Sequence, residues 1–500
     1  MKPQLFVLSA LVALASAGVV DLNLKRSVEF SRVTEAIIEF PQVMDQIKGN
    51  VALQSLSGDA KVSALVASLR GLTSAAQAPL VAVAKSLGLT VEQYWVSNVI
   101  LVKGLTLEKL SQLTSTPGDF LIRAQGTDYI TDPITGEEVV TLQNPQWGVA
   151  KIRANLVWSI TQGEGVVVGI FDSGVNLGHE ALSAGYAGAW LDPHHNEAAP
   201  TDVLGHGSHV AGTVLGRANG IGVAPGAQWT ACRGFNHTGN TTEALLLQCG
   251  EFFLTSTPRP NVVCNSWGGP QANPFFRPAV EAWRQAGIIP VFAMGNSGRF
   301  CRTVSASANM PEVIAVGATN DVDGMGIYSS RGPTSTGLNK PEVSAPGTNV
   351  ISCGTGASNY VTNTGTSMAT PHVAGSVALL LSANPTWGSA KLGAECSNSN
   401  EFEHSAPSFA EYSNSARTRN GGLVASLVYQ TLLFIKLTYS LLGSSGCGKT
   451  TLLSCIVGIR KLNSGEITVF GGEPGSRESG IPGKRVGFMP QENSLYNDFN

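Results

Sequence analysis

Between Asn363 and Leu381 the chain reads NTGTSMATPHVAGSVALLL. A turn of small residues runs directly into an apolar stretch long enough for a helix, so Ser367 stands where that helix opens. Upstream lie short apolar runs: GVVVGIF (165–171), NVVCNSW (261–267), IIPVFAMG (288–295) and EVIAVGA (312–318). They alternate with helical stretches such as PAVEAWRQA (278–286). Continuous apolar strands separated by helices predict a parallel sheet covered on both faces, so the region from 144 to 387 is expected to be α/β.

Two more segments of this region end a strand or open a helix. VVVGIFDSGV puts Asp172 just beyond a buried strand, and GHGSHVAGTVLG puts His206 between glycines at a helix start. Loops at the carboxyl ends of parallel strands are where α/β proteins set their reactive groups. Aspartate, histidine and serine are the set required for nucleophilic acyl transfer. A serine hydroxyl attacks poorly until a base takes its proton; histidine is such a base near neutral pH, and a carboxylate fixes its tautomer. Singly, each residue has a plainer reading: Asp172 a strand-end turn residue, His206 a structural histidine, Ser367 a helix cap. Their joint occurrence with Asn296, on the Gly-flanked turn of PVFAMGNSG, reverses that reading.

GTSMATPHVAG, GHGSHVAG and FDSGV together resemble the subtilisin-like serine proteases (subtilases), in that family's known order Asp, His, Ser. The resemblance covers about half the chain. It implies that Asp172 orients the base, His206 is general base and acid, Ser367 is the nucleophile, and Asn296 donates to the oxyanion beside the Ser367 backbone N–H. His209 competes on spacing alone, and the family motif selects His206; His372 is expected to pack near the nucleophile helix. NSWGG resembles the family's substrate-edge strand, which implies that the Ser266, Trp267 and Gly268 backbone pairs with an extended protein or peptide substrate. Trp267 either shapes a specificity pocket or packs. Ser208 stands where the family mostly has threonine and Met294 where alanine is usual.

The start of the chain, MKPQLFVLSALVALASAGVV, has a positive residue, an apolar core from Leu5 to Leu14, and small residues at Ala15–Ala17. It reads as a secretory signal over 1–17, too short to span a bilayer. The sequons at Asn236 and Asn240 agree with a secreted, extracellular location. Cys232, Cys249, Cys264, Cys301 and Cys353 offer disulfides whose pairing the sequence leaves open. Residues 18–143 alternate helical and strand-like segments (Lys61–Arg70, then YWVSNVILVKGL, then LEKLSQL), which suggests a compact α+β module. Its similarity to the family's propeptide implies an intramolecular inhibitor and a zymogen, with processing expected between Asp119 and Gln146.

Residues 388–422 turn polar and read as a linker; Leu423–Leu442 is read as a strand pair, with a marginal membrane span as the alternative. GSSGCGKTT then fits a phosphate loop. Gly443, Ser444, Gly446 and Gly448 turn backbone N–H groups toward phosphate, Lys449 neutralises it, and Thr450, followed by Thr451, ligates Mg²⁺. With LNSGEITVFGGEPG and RVGFMPQENSLYNDF it resembles the ATP-binding domain of ABC transporters, Gln491 falling on the Gln-loop position. The chain ends at Asn500, before the family's remaining catalytic motifs, so 423–500 is expected to be a vestigial P-loop fragment: a mis-joined gene model or a degenerate fusion. A membrane-associated nucleotide-binding protein is the alternative function, and a binding-only pseudoprotease a third. Proteolysis needs no cofactor on this reading; ATP and Mg²⁺ matter only if the fragment works. A structural calcium is conceivable, although DVDG (321–324) reads better as a surface turn. A net charge of −3 without a basic run excludes a nucleic-acid footprint, and no membrane partner is expected.

Overall fold

The computed structural model describes residues 18–30, 34–130, 134–138, 143–269 and 275–385. The first unit is a five-stranded sheet in the order β1-β5-β2-β4-β3, made of β1 (Val19–Val20), β2 (Glu35–Glu39), β3 (Thr90–Tyr94), β4 (Val99–Lys103) and β5 (Leu121–Arg123). Its helices are α1 (Leu22–Glu29), α2 (Met44–Lys48), α3 (Val51–Gln54), α4 (Gly58–Ser86) and α5 (Leu107–Thr114). The 29-residue α4 buries Val62, Leu65, Leu69, Thr73, Gln77, Leu80 and Ala84. Steps of three and four put these on one face, which explains why so long a helix holds to the sheet. The run YWVSNVILVKGL is not one strand: Tyr94 ends β3, and the chain turns before β4 at Asn98, whose φ is 47°. The Asn98 amide donates to Pro41 O at 2.8 Å, a bond that offsets the left-handed backbone.

Two short strands follow, β6 (Thr127–Tyr129) and β7 (Ile134–Glu138). The second unit opens with α6 (Trp147–Lys151) and α7 (Ala154–Val157). Its sheet has seven strands in the order β15-β14-β13-β12-β8-β10-β9. These are β8 (Val167–Asp172), β9 (Tyr186–Leu191), β10 (Gln228–Arg233), β12 (Val262–Asn265), β13 (Ile289–Ala293), β14 (Ile314–Thr319) and β15 (Val343–Pro346). All pairs are parallel. The short β11 (Asn240–Thr242) pairs antiparallel with β6, while β16 (Val350–Cys353) and β17 (Tyr360–Thr364) form a small sheet with β7.

Every residue of β8, β12, β13 and β14 is buried, as expected for strands covered on both faces. Alternate residues divide between two cores. Val168 and Ile170 face α8 (His206–Leu215) and α11 (Thr366–Ala383). Phe171 faces α9 (Glu243–Thr255) and α10 (Arg277–Gln285). On that second face Phe171 meets Phe235, Phe253, Trp267, Phe276 and Trp283 with ring centroids 5.1–6.5 Å apart. This aromatic packing steadies the strand that ends in Asp172. A disulfide between Cys232 and Cys249 ties β10 to α9; Cys264 and Cys353 are buried thiols and Cys301 an exposed one. The same core continues through Ile37, Met44, Leu65, Leu69 and Tyr94 of the first unit. Among the described residues no helix is long and apolar enough to cross a membrane.

Candidate active site

Of Asp172, His206 and Ser367, the first two meet directly, and the third is held at the end of β12, the strand that pairs with β8. Asp172 is the last residue of β8, His206 the first of α8, and Ser367 the second of α11. His206 Nδ1 lies 2.7 Å from Asp172 Oδ1, and both side chains are buried. The same carboxylate oxygen accepts the Ser173 backbone N–H at 2.8 Å. With Nδ1 committed to the carboxylate, Nε2 is the nitrogen left to exchange protons. Ser367 is laced to the end of β12: its Oγ donates to Ser266 O at 3.1 Å, and Ser266 Oγ donates to Ser367 O at 2.9 Å. Ser367 also sits in the first turn of α11, where unpaired helix N–H groups favour a negative oxygen.

Asn296 follows β13 through Gly295, whose φ of 101° only glycine adopts readily. Its Oδ1 accepts both the backbone N–H and the hydroxyl of Thr366, each at 2.9 Å. That double bond fixes which way the amide faces. Nδ2 then points toward Gly365: a methyl built there would lie 3.1 Å from Nδ2 and 3.7 Å from the Ser367 backbone nitrogen. Two donors thus flank a space that exists because residue 365 has no side chain. Gly365 and Thr366 stood inside the GTSMA motif, but their locking function depends on a residue 70 positions away and was not legible there.

The edge at Gly268 is occupied by the chain itself. Tyr129 and Gly268 exchange backbone hydrogen bonds, both at 3.2 Å, and Ile130 N donates to Gly239 O at 2.8 Å. β6 therefore pairs with β11 on one side and bridges to Gly268 on the other. The Asp128 side chain enters a small pocket lined by Trp267, Gly269, Phe275, Phe276 and Met310. Burial there, with Glu243 nearby, pushes its carboxyl up to about 7. Glu243, at the start of α9, is bonded to Arg123 at 2.5 Å and to Gly126 N at 3.0 Å. On the same helix Glu251 accepts Trp95 N at 2.7 Å and Val96 N at 3.1 Å, and burial raises its carboxyl to about 7. None of these contacts across the cleft was read from the sequence.

The other histidines are held elsewhere. His209 Nε2 faces the carbonyls of Val350 and Val361 at 3.0 and 3.2 Å, and burial lowers its pKa to about 3. His372 Nδ1 bonds to Met368 O at 2.8 Å within α11, and burial lowers it to about 4. Both are neutral structural groups at ordinary pH. The 321–324 segment is a surface turn: Asn320 Oδ1 accepts Val322 N and Gly324 N, and Asp323 pairs with Lys151 at 2.9 Å. Among the described residues no group of three or more His, Cys, Asp and Glu side chains is arranged to hold a metal ion. Gly443, Ser444, Gly446, Gly448, Lys449, Thr450, Thr451 and Gln491 lie outside the described residues.

Residues 163–420 match the sequence profile of the Subtilase family. The chain belongs to the subtilase family. Subtilisin from Bacillus pumilus is 32% identical over 256 residues, which are 50% of this chain and 89% of that protein. Subtilisin E from Bacillus subtilis (strain 168) is 33% identical over 256 residues, or 64% of its length. Bacillopeptidase F from the same strain is 38% identical over 271 residues, only 19% of its length. The subtilase part of the chain thus spans less than two thirds of both Bacillus subtilis relatives. Residues 436–500 match the profile of the ABC transporter family. The seven-stranded parallel sheet with helices on both faces is the α/β arrangement that the apolar runs predict, and it agrees with the family match.

Proposed function

We propose that this subtilase is a secreted serine endopeptidase made as a zymogen. The observation that carries the reading is the 2.7 Å bond between Asp172 and His206, set beside the locked Asn296–Thr366 turn at Ser367. In this scheme the Ser367 hydroxyl turns from Ser266 O and gives its proton to His206 Nε2 as Oγ attacks the peptide carbonyl. Asp172 stabilises the imidazolium. The carbonyl oxygen becomes an oxyanion held by Asn296 Nδ2 and the Ser367 N–H. His206 then protonates the leaving amine, and water, activated in the same way, releases the acyl group and restores the hydroxyl. No step passes through a metal or cofactor.

The first unit supports the zymogen. Its tail lies along the edge that a substrate strand would use, so Thr127–Ile130 blocks the cleft in the manner of an extended peptide. Processing downstream of that strand would free the site, and residues 18–143 would be the prosegment. The apolar leader at 1–17, the sequons at Asn236 and Asn240, and the Cys232–Cys249 disulfide support export to an oxidising compartment. Ser367→Ala in the purified full chain should abolish both peptide hydrolysis and labelling by an organophosphonate. Undiminished turnover in that variant would overturn the assignment.

A second reading rests on the ABC transporter match at 436–500: Lys449 and its loop bind nucleotide, and the chain serves as an ATP-binding, membrane-associated protein. Nucleotide affinity of Lys449→Ala against the parent tests it. Equal, negligible binding by both would leave the fragment vestigial.

A further inference from the structure

The first turn of α8 has an uncommon capping arrangement. Its N-cap is Gly205, at φ 88°, which has no side chain to accept the turn's N–H groups. Asp202 accepts in its place. Its Oδ1 takes Gly205 N at 2.8 Å and Leu204 N at 3.0 Å, and its Oδ2 takes Ser208 N and Ser208 Oγ, both at 2.7 Å. A helix cap would need no more. Yet Oδ1 also takes the Ser173 hydroxyl at 2.8 Å, and Ser173 directly follows Asp172. Both hydroxyls pass the linkage on: Ser173 Oγ accepts Gly207 N at 3.0 Å, and Ser208 Oγ accepts Asn176 N at 2.9 Å. The two loops also touch backbone to backbone, since a methyl on Gly207 would lie 2.0 Å from Gly174 O.

One carboxylate therefore bolts the loop that follows Asp172 to the helix start that carries His206. We propose that Asp202 is a positioning residue of the catalytic apparatus, holding Asp172 and His206 at hydrogen-bonding distance through Ser173 and the α8 N-terminus. It touches neither substrate nor reacting atoms. The inference rests on the proteolytic reading given above. It follows from geometry: Asp172 and His206 sit on different elements, and a slip of about 1 Å between catalytic groups lowers turnover by roughly 10²-fold.

The test uses the full chain, with rates expressed per organophosphonate-titrated site so that unfolded protein does not count. Asp202→Asn keeps the shape but presents an N–H₂ group to at least one donor that cannot turn away. We expect kcat about 10–100-fold lower with KM changed less than about twofold. The low-field proton resonance of the His206–Asp172 bond, identified by its loss in Asp172→Ala, should broaden or move. Ser173→Ala should give a smaller loss in kcat, and adding it to Asp202→Asn should cost nothing further, because both cut the same link. If Asp202→Asn lowers only the melting temperature or the titratable fraction, with per-site kcat and the resonance intact, Asp202 is a stability cap and the proposal fails. Should Asp202→Asn not fold, Ser173→Ala and Ser208→Ala each remove one arm, and unchanged per-site kcat in both would overturn it equally. A parent chain without Ser367-dependent turnover would instead refute the proteolytic reading, and the resonance would still report whether Asp202 holds the pair.

Discussion

The amide of Asn296 illustrates how a side chain with two chemically different ends is given one orientation. Thr366 supplies two donors to Oδ1, so the flipped amide would set N–H₂ against an N–H and a hydroxyl. Asn296→Ala should lower kcat about 10²–10³-fold with little change in KM, the magnitude known for loss of this donor in the family. Thr366→Val is the subtler variant. It leaves the Thr366 backbone donor but deletes the hydroxyl, which also accepts Gly295 N at 3.2 Å. We expect a kcat loss of roughly tenfold. Gly365→Ala should behave differently again: a methyl 3.1 Å from Nδ2 would crowd the space proposed for the oxyanion, so kcat should fall while the melting temperature holds. Steady-state kinetics on the three variants would separate losing the donor, loosening it and blocking it.

Among the elements that join the two units, β6 and α9 each contribute a carboxylate raised to about 7. For Asp128 burial in the Trp267–Phe276–Met310 pocket is the larger cause and Glu243 the smaller. For Glu251 burial outweighs the two backbone N–H donors and the neighbouring Arg70. Each group is thus harder to ionise in the closed structure than in an open chain. The closed form binds the extra protons, so its stability is fully present below the ordinary carboxylate range and falls as pH climbs toward about 7. In a Ser367→Ala background, which on the proposed scheme prevents processing, urea unfolding at pH 5 and pH 8 should show this loss. Asp128→Asn should reduce it by of order 1 kcal/mol. An identical pH dependence in both chains would show that Asp128 contributes nothing to it. The elements themselves were largely legible: β8, β12, β13 and β14 are runs of apolar residues, and α11 opens within NTGTS as the sequence suggests. What stayed hidden was every pairing that closes over a long stretch of chain, such as Arg123 with Glu243 or Trp95 with Glu251, 120 and 156 positions apart. Local patterns report what a residue does to its neighbours; they are silent on which distant carboxylate will meet a given backbone N–H. Asp202 falls between these cases, since it lies close to His206 in sequence but its bond to Ser173 crosses 29 positions.

For the molecule as a whole, the decisive feature is that one apolar core runs through both units. Ile37, Met44, Leu65, Leu69 and Tyr94 of the first are continuous with Leu246, Phe253, Phe276 and Trp283 of the second. If maturation removes the first unit, α9 and α10 lose a wall that covered them while they packed. The surviving enzyme would then persist because it unfolds slowly, not because its native state is easily regained. Denatured and diluted into buffer, the Ser367→Ala full chain should recover its native fluorescence, whereas matured protein should recover little unless residues 18–130 are supplied. Equal recovery would show that the second unit finds its own way. On this view the enzyme carries its mould as part of the same polypeptide and can be cast only once; after the mould is discarded, each molecule's working lifetime is set by its first unfolding.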